Sequence, residues 1–470
     1  MTNKIVLVAG LLFLSWIGAI HAGQDATAGR SAAPVTFHQD VLPILQKNCE
    51  SCHRPGQIGP FPMRTYQEVR PWARAIKNAI VARKMPPWFA DPKYGHFNND
   101  RSLKQSEVDT IVAWADSGAP AGDPKDAPAP LHWPEGGFQI EPDVAFELPP
   151  YEVPATGVIE WVRVAFPAPF KEDTWVTSVE ILPGSPEVVH HLCMAIVERV
   201  PTRPYNEFEW IDLPRDDSGV TLRGTSEEDG VVYWRKVGST EVKRRDGRSL
   251  VQHGGNHFCY LPGLPYEDYR PVNAAVFVPA GSDMTVSFHY TPNGLGVTDR
   301  SKIGFTVAKE PPAKRVLHQT GDESNAAPVA RKSGITQLAI PPLEPNYVAP
   351  LTVTNILRDV ELVWFRPHAH QRGKSVQYKL FYPDGREEVI LNVPRYDFNW
   401  QLTYRTSKLI PKGSRIETQF VYDNSTANRY NPDPRKWVYY GNQSWEEMGT
   451  ANMGFLVPRE VDEKNAIQER

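Results

Sequence analysis

The sequence predicts a multidomain protein in which a small all-α domain precedes two all-β sandwich domains of the jelly-roll type. The chain has 470 residues, which exceeds one ordinary domain. Apolar residues recur at helical spacing between about residues 34 and 120. From about residue 144, short apolar or alternating runs are separated by turn residues, and the chain has 44 Pro and 33 Gly. A net charge of −4 with 41% hydrophobic residues excludes a disordered chain and gives no indication of nucleic-acid binding.

The first residues have the composition of a targeting segment. Lys4 precedes an apolar run of 16 residues, 5–20, and small residues follow near Ala22. This order of charge, apolar run and small residues predicts a signal peptide over residues 1–22. An uncleaved membrane anchor is the alternative, although a bilayer span needs about 20 apolar residues. We therefore expect a periplasmic or secreted protein, in a compartment where disulfides persist.

Three helices are predicted in residues 34–120, each from apolar residues that share one face. Gly118 and Pro120 provide a stop signal after the third helix. The apolar positions are Phe37, Val41, Ile44 and Leu45 in the first helix, Val69, Trp72, Ala73, Ile76 and Ile80 in the second, and Val108, Ile111, Val112 and Ala115 in the third.

Between the first two predicted helices stands the motif Cys49-Glu50-Ser51-Cys52-His53. The C-x-x-C-H spacing is typical of c-type haem attachment, in which two thiols bind the haem vinyl groups and the histidine binds the iron. A redox-active dithiol and half of a zinc site are the alternatives. No second pair of cysteines completes a zinc site, and no βαβ pattern surrounds the motif. We therefore expect one covalently bound haem c.

Residues 34–120 resemble class I cytochrome c domains in the C-x-x-C-H motif, the Pro/Gly loop after it, a later methionine and a closing helix that contains Trp114. The resemblance implies a methionine as the sixth ligand of the haem iron. Met85 and Met63 are the candidates, and Met85 is favoured because it precedes Pro86 directly after the second helix. Residues 121–143 are rich in Pro, Ala, Gly and Asp and predict a semi-rigid linker.

The β-rich part is predicted to comprise one sandwich over residues 144–307, an interdomain linker over 308–345 and a second sandwich over 346–458. Its histidines occur in a distinctive order: an adjacent pair, then a single residue, then a pair in the pattern H-x-H. On a strand, residues two apart share a face, so an H-x-H pair can chelate one metal. Adjacent histidines can do so only at a strand end or a bulge. The residues in this order are His190, His191, His289, His368 and His370, followed by Glu446-Glu447-Met448.

This ordered set resembles the copper type II, ascorbate-dependent monooxygenases, the family of dopamine β-hydroxylase and peptidylglycine α-hydroxylating monooxygenase. The resemblance spans about residues 145–458 and implies two copper ions, one in each sandwich on the surfaces that face each other. The first copper ion would be bound by His190, His191 and His289, and the second by His368, His370 and Met448. Met453 is the alternative sulfur ligand, but it lacks the preceding Glu-Glu pair.

Some features depart from that family. In the amidating members an Arg two residues before H-x-H binds the substrate carboxylate; Arg366 matches it, but Thr450 and Asn452 stand where an Asn and a Tyr assist. Peptide amidation is therefore not predicted. Cys193 and Cys259 form either a disulfide or two buried thiols. His253 and His257 match no family ligand and are interpreted as loop or supporting residues.

The resemblance implies an exported copper-dependent monooxygenase that inserts one oxygen atom of O₂ into a C–H bond of an unknown organic substrate. The catalytic residues would be His368, His370 and Met448. Electrons would come from an external one-electron donor, either an ascorbate-like reductant or a redox protein. The haem bound at Cys49, Cys52, His53 and Met85 is expected to pass them on. The alternative is a non-catalytic haem and copper protein that transfers electrons or handles copper.

Overall fold

The computed structural model describes residues 34–134, 137–199, 201, 203–212, 231–236, 243–246, 258–264, 266–322, 338–441, 443–462 and 465–469. The predicted signal peptide, His253 and His257 lie outside these residues. The chain is mostly β-strand with few helices, so the β-rich part of the predicted fold class is confirmed. No helix among the described residues is long and apolar enough to cross a membrane.

The helices of residues 34–120 lie where the apolar periodicity predicts them. A capping box, in which Thr65 and Glu68 bind each other's backbone N–H groups, begins the second helical stretch. Trp114, fully buried, packs with Phe37 and Leu45 in a hydrophobic core of this helical unit. The helices are α1 (Leu42–Asn48), α2 (Tyr66–Val69), α3 (Ala73–Val81) and α4 (Gln105–Asp116), with a π-helical turn at Phe37–Val41 and 3₁₀ turns at Arg70–Trp72, Pro124–Asp126 and Arg270–Val272.

The strands of the first β unit form two sheets, in the orders β8-β7-β6-β3-β12-β5-β9 and β1-β14-β4-β11. Side chains from both sheets, such as Val286 on one and Ile303 on the other, meet in a single core, as in a sandwich. The strands are β1 (Val144–Glu147), β2 (Tyr151–Val153), β3 (Val162–Pro167), β4 (Thr174–Leu182), β5 (Val189–Val197), β6 (Glu209–Asp212), β7 (Val231–Lys236), β8 (Lys243–Asp246), β9 (Phe258–Tyr260), β10 (Glu267–Asp268), β11 (Ala274–Val278), β12 (Asp283–Tyr290), β13 (Val297–Asp299) and β14 (Lys302–Val307).

The second β unit also has two sheets, in the orders β15-β25-β19-β22 and β21-β20-β23-β18-β26. Phe365 and Phe455 on the first sheet and Tyr378 and Phe420 on the second contribute to one core. The strands are β15 (Lys314–Asp322), β16 (Ala339–Ile340), β17 (Tyr347–Val348), β18 (Thr352–Ile356), β19 (Val360–Ala369), β20 (Gly373–Phe381), β21 (Glu387–Val393), β22 (Tyr404–Ile410), β23 (Arg415–Tyr422), β24 (Val438–Tyr439), β25 (Gly449–Pro458) and β26 (Ile467–Glu469).

Strand β15 joins the two β units into one continuous sheet, although it lies within the predicted linker 308–345. It pairs in parallel with β11 at Lys314 and Arg315, and antiparallel with β25 from Lys314 to Asp322. Two adjacent apolar residues of β15 point in opposite directions, as successive residues on a strand do. Val316 packs in the core of the first β unit and Leu317 in the core of the second. The sequence does not predict this strand, because only these two apolar residues stand between segments that are rich in proline.

The segment between α3 and α4 attaches the helical unit to the second β unit. Phe89 belongs to the core of that unit, and the Trp88 ring lies 4.9 Å from the ring of Tyr404. Backbone hydrogen bonds continue the attachment: Asp91 N–H donates to the carbonyl of Asn392 at 2.8 Å. The helical unit is therefore packed against the β-sheets as well as connected to them by the chain.

Cys193 and Cys259 form a disulfide, which selects one of the two alternatives left open by the sequence. The two residues are opposite partners on the neighbouring strands β5 and β9. The bridge lies two residues from His191, and it holds the short strand β9 against the strand that carries the adjacent histidine pair.

Candidate metal centre

The adjacent histidines are placed by an irregularity in strand pairing. His191 lies opposite His289, on β5 and β12, but the next residue, Tyr290, pairs with Val189. His190 is thus the extra residue of a bulge near the start of β5, so that it and His191 can point to the same place. Nitrogen atoms of His190, His191 and His289 lie within 4.8 Å of one another, a group that could hold a metal ion.

The second pair of histidines comes from the end of β19. The rings of His368 and His370 are 5.2 Å apart, and Nδ1 of His368 lies 2.7 Å from Oε1 of Gln401. Since an amide oxygen only accepts hydrogen bonds, the proton of His368 is on Nδ1 and the lone pair is on Nε2. Such a partner fixes the orientation of an imidazole that binds a metal.

The two sets of histidines form one cluster where the two β units meet. The ring of His191 lies 5.9 Å from that of His368, and the ring of His289 lies 6.2 Å from that of His370. Nε2 of His190 donates to the carbonyl oxygen of Phe398 at 3.0 Å, a residue of the second β unit. The lone pair of His190 is therefore on Nδ1, which is 3.1 Å from Nδ1 of His191.

Burial dominates the electrostatics of this cluster. It lowers the pKa of all five imidazoles, and that of His190 to about 4. Neighbouring imidazoles lower the pKa of His191 further, because two positive charges would repel each other. The histidines are therefore neutral at physiological pH, which is the form that binds metal ions.

The position of the two candidate methionines differs sharply. Ala369 lies opposite Gly449, so Met448 stands beside the end of the strand pair, level with His370. Met453 lies opposite Phe365 and is completely buried in the core of the second β unit. Five residues of strand separate Phe365 from His370, or about 17 Å. Met448 is half-buried and is the methionine at the histidine end of this strand pair.

A buried carboxylate connects Met448 to the histidines. Glu447 accepts hydrogen bonds from the backbone N–H groups of His370, Arg372 (2.9 Å) and Met448 (3.0 Å). Burial raises the pKa of Glu447 to about 7. The sequence does not show that Glu447 holds these backbone groups together, because only its position before Met448 distinguishes it there. The sequence does not predict the contact of Gln401 with His368 either, because 33 residues separate the two.

The side chain of Arg366 makes contacts within the protein, as a structural residue does. Its guanidinium donates to the carboxylate of Glu267 at 2.6 Å and to Oγ1 of Thr403 at 3.0 Å, and it stacks on Trp364. Both members of the ion pair are buried, and Glu267 belongs to the first β unit while Arg366 belongs to the second. The pair therefore connects the two β units close to the histidine cluster.

We expect Arg366→Ala to lower the free energy of unfolding by about 3–5 kcal/mol, because it leaves the Glu267 carboxylate buried without its cation. Urea denaturation followed by circular dichroism measures this change. Arg459→Ala, which removes an exposed arginine, is the matched control and should change stability by less than about 0.5 kcal/mol. Unchanged stability with a selective loss of substrate binding would instead favour the substrate-carboxylate role.

The residues of the C-x-x-C-H motif lie at the end of α1. Cys49 and Cys52 are not bridged to each other, and a helical turn joins them, with His53 N–H donating to the carbonyl of Cys49 at 2.9 Å. Nδ1 of His53 donates to the carbonyl of Phe61 at 3.0 Å, which leaves the lone pair of Nε2 for a ligand. Burial raises the pKa of Cys49 to about 12 and lowers that of His53.

The two candidate sixth ligands of the haem iron have different surroundings. Met63 is buried in the core of the helical unit, and its N–H donates to the carbonyl of His53 at 2.9 Å. Met85 is half-buried and begins the segment that packs on the second β unit. Met85 stays the predicted ligand, and Met63 stays the alternative.

No family model and no curated protein matches the chain. Among solved structures, one of infectious bursal disease virus, Gx strain, shows 9% identity and a TM-score of 0.18, over 70% of this chain and 76% of the other. A structure of PNGF-II shows 8% identity and a TM-score of 0.21, over 67% of this chain and 59% of the other. Similarities this weak do not bear on the function of the histidine cluster.

Proposed function

We propose that the chain is an exported copper-dependent monooxygenase, which hydroxylates a C–H bond of an organic substrate with O₂. The observation that carries this proposal is the buried cluster of five neutral histidines where the two β units meet, with Met448 beside it. Two groups of ligands, one with a thioether, fit copper better than zinc, because sulfur of this kind is a soft ligand that suits Cu(I).

Within this proposal, each residue has a defined task. His190, His191 and His289 would hold the first copper ion, and His368, His370 and Met448 the second, where O₂ and the substrate would meet. Bound copper supplies one-electron redox chemistry and activation of O₂. The carbonyl of Phe398 and the amide of Gln401 orient the rings of His190 and His368, so that each presents a lone pair to the metal. The carboxylate of Glu447 positions Met448 by accepting its backbone N–H.

We further propose that residues 34–120 are a cytochrome c-like domain that supplies electrons to the copper sites. Cys49, Cys52 and His53 fit a covalent haem, because the two thiols are unbridged and the lone pair of His53 is on Nε2. Met85 would complete the ligation. A haem of this kind carries single electrons and would receive them from an ascorbate-like reductant or a redox protein. The Cys193–Cys259 disulfide fits a periplasmic or secreted location.

The test is oxygen incorporation by the full-length protein after copper loading. With ¹⁸O₂, a reduced donor and a library of organic compounds, we expect O₂ uptake that depends on one class of compound and a product carrying one ¹⁸O atom. His368→Ala should abolish uptake, while the exposed His96→Ala should not affect it. Mass spectrometry and an oxygen electrode give both readouts.

A non-catalytic role in electron transfer or copper handling is the alternative. It requires copper and haem to be bound and to exchange electrons without any substrate-dependent uptake of O₂. Copper and haem bound at full stoichiometry with no oxygen incorporation from the library would therefore favour this alternative over the monooxygenase.

A further inference from the structure

A cavity of about 960 Å³ lies between the C-x-x-C-H segment and the first β unit. Residues 51–52, 54–58 and Arg101 line one side, Trp133 contributes from the predicted linker, and Tyr260 and Leu264 line the side next to the disulfide. Its volume is within the range of pockets for organic ligands, about 300–1,000 Å³. Cys52 reaches this cavity: a Cβ atom on Gly263 would lie 3.5 Å from its Sγ.

The lining of the cavity carries an excess of positive charge. Five cationic side chains face three carboxylates, and two of the carboxylates are already engaged. Glu147 pairs with Arg300 at 3.5 Å. Glu180 accepts the backbone N–H groups of Gln139 at 2.6 Å and Ile140 at 3.0 Å. The cationic residues are Arg54, Arg64, Arg101, Arg300 and Lys302.

Two of these cations, Arg54 and Arg101, are partly buried and have no carboxylate within ion-pair distance among the residues that the structure describes. The guanidinium of Arg54 stacks on the ring of Trp133 at 4.3 Å, and its buried Nε has no hydrogen-bond partner there. Arg101 donates to the carbonyl of Gly263. Glu50 and Glu180 attract Arg54 from beyond ion-pair distance, whereas no carboxylate of the described residues acts on Arg101 in this way. A partly buried guanidinium without a paired anion is costly, and its planar fork of donors matches a carboxylate.

We propose that this cavity is a carboxylate-binding site, with Arg54 and Arg101 as the anion-binding residues and the rings of Trp133 and Tyr260 beside the organic part of the ligand. A carboxylate can come from two sources. One is a propionate group of a haem attached at Cys49 and Cys52, which rests on the proposed function. The other is a free organic acid, which does not.

The experiment compares the full-length holoprotein with Arg54→Gln and with Arg459→Gln, which makes the same change at an exposed arginine of the second β unit. Two measurements separate the sources. Resonance Raman spectroscopy follows the bending band of the haem propionates, which responds to their hydrogen bonds. Isothermal titration calorimetry measures the binding of malonate. Circular dichroism establishes that all three proteins are folded.

A propionate ligand predicts a shifted bending band in Arg54→Gln alone. A free acid predicts saturable binding of malonate to the wild-type protein and to Arg459→Gln, weakened about tenfold or more in Arg54→Gln. Absence of both effects would overturn the carboxylate site. If no haem is attached, the proposed electron-transfer role fails on its own, and malonate binding alone then decides this inference.

Discussion

Met448→Ala is expected to abolish hydroxylation and to reduce the bound copper from two ions to one. The side chain is half-buried and packs against the edge of the core of the second β unit, so its removal should lower the free energy of unfolding by about 1–2 kcal/mol. In the proposed site, His368 and His370 would be the remaining ligands, and they would hold Cu(I) less well without the thioether. Copper analysis, urea denaturation and the ¹⁸O assay together measure the three effects.

Met453→Ala is the matched control, because it removes the same side chain five residues further along. Its side chain is fully buried in the core of the second β unit, so we expect a loss of about 2–5 kcal/mol in stability. Protein that remains folded should keep both copper ions. An active Met448→Ala together with a folded but copper-deficient Met453→Ala would show that the sulfur ligand is Met453.

A chain that begins at residue 140 is expected not to fold into a soluble protein. It would lack Phe89, which is part of the core of the second β unit, and Trp88 and Phe97, which pack against that core. Loss of one such aromatic side chain typically costs about 3–5 kcal/mol, and whole-domain stability is about 5–15 kcal/mol. Soluble yield, circular dichroism and binding of a hydrophobic dye measure the outcome.

A single substitution tests the same attachment within the full chain. Phe89→Ala should lower the free energy of unfolding by about 3–5 kcal/mol, whereas Val81→Ala, on the exposed face of α3, should have little effect. A soluble, cooperatively folded fragment 140–470 would contradict this expectation. Tests of the proposed haem therefore need Cys49→Ser and Cys52→Ser in the intact chain, because a truncation would also damage the second β unit.

Local patterns in the sequence predicted the helices, and the family resemblance implied that the histidines of the two β units face each other. The H-x-H spacing and the requirement for a bulge at His190 follow from strand geometry, which does not depend on the rest of the fold. The packing of Phe89 into a sheet some 300 residues away could not be predicted, because an apolar residue after a helix does not identify its partner. The same holds for Gln401 and Glu447, whose hydrogen bonds depend on three-dimensional placement.

Strand β15 restricts how the two β units can move relative to each other. A protein whose halves are linked by a flexible connection can open by a hinge motion to admit a ligand and then close around it. Here β15 is hydrogen-bonded to both sheets and fills both cores, through Val316 and Leu317. Opening would break this ladder and expose both cores. The pairing of β15 with strands of both β units therefore opposes any change in the spacing between the two groups of histidines, one of which each unit carries.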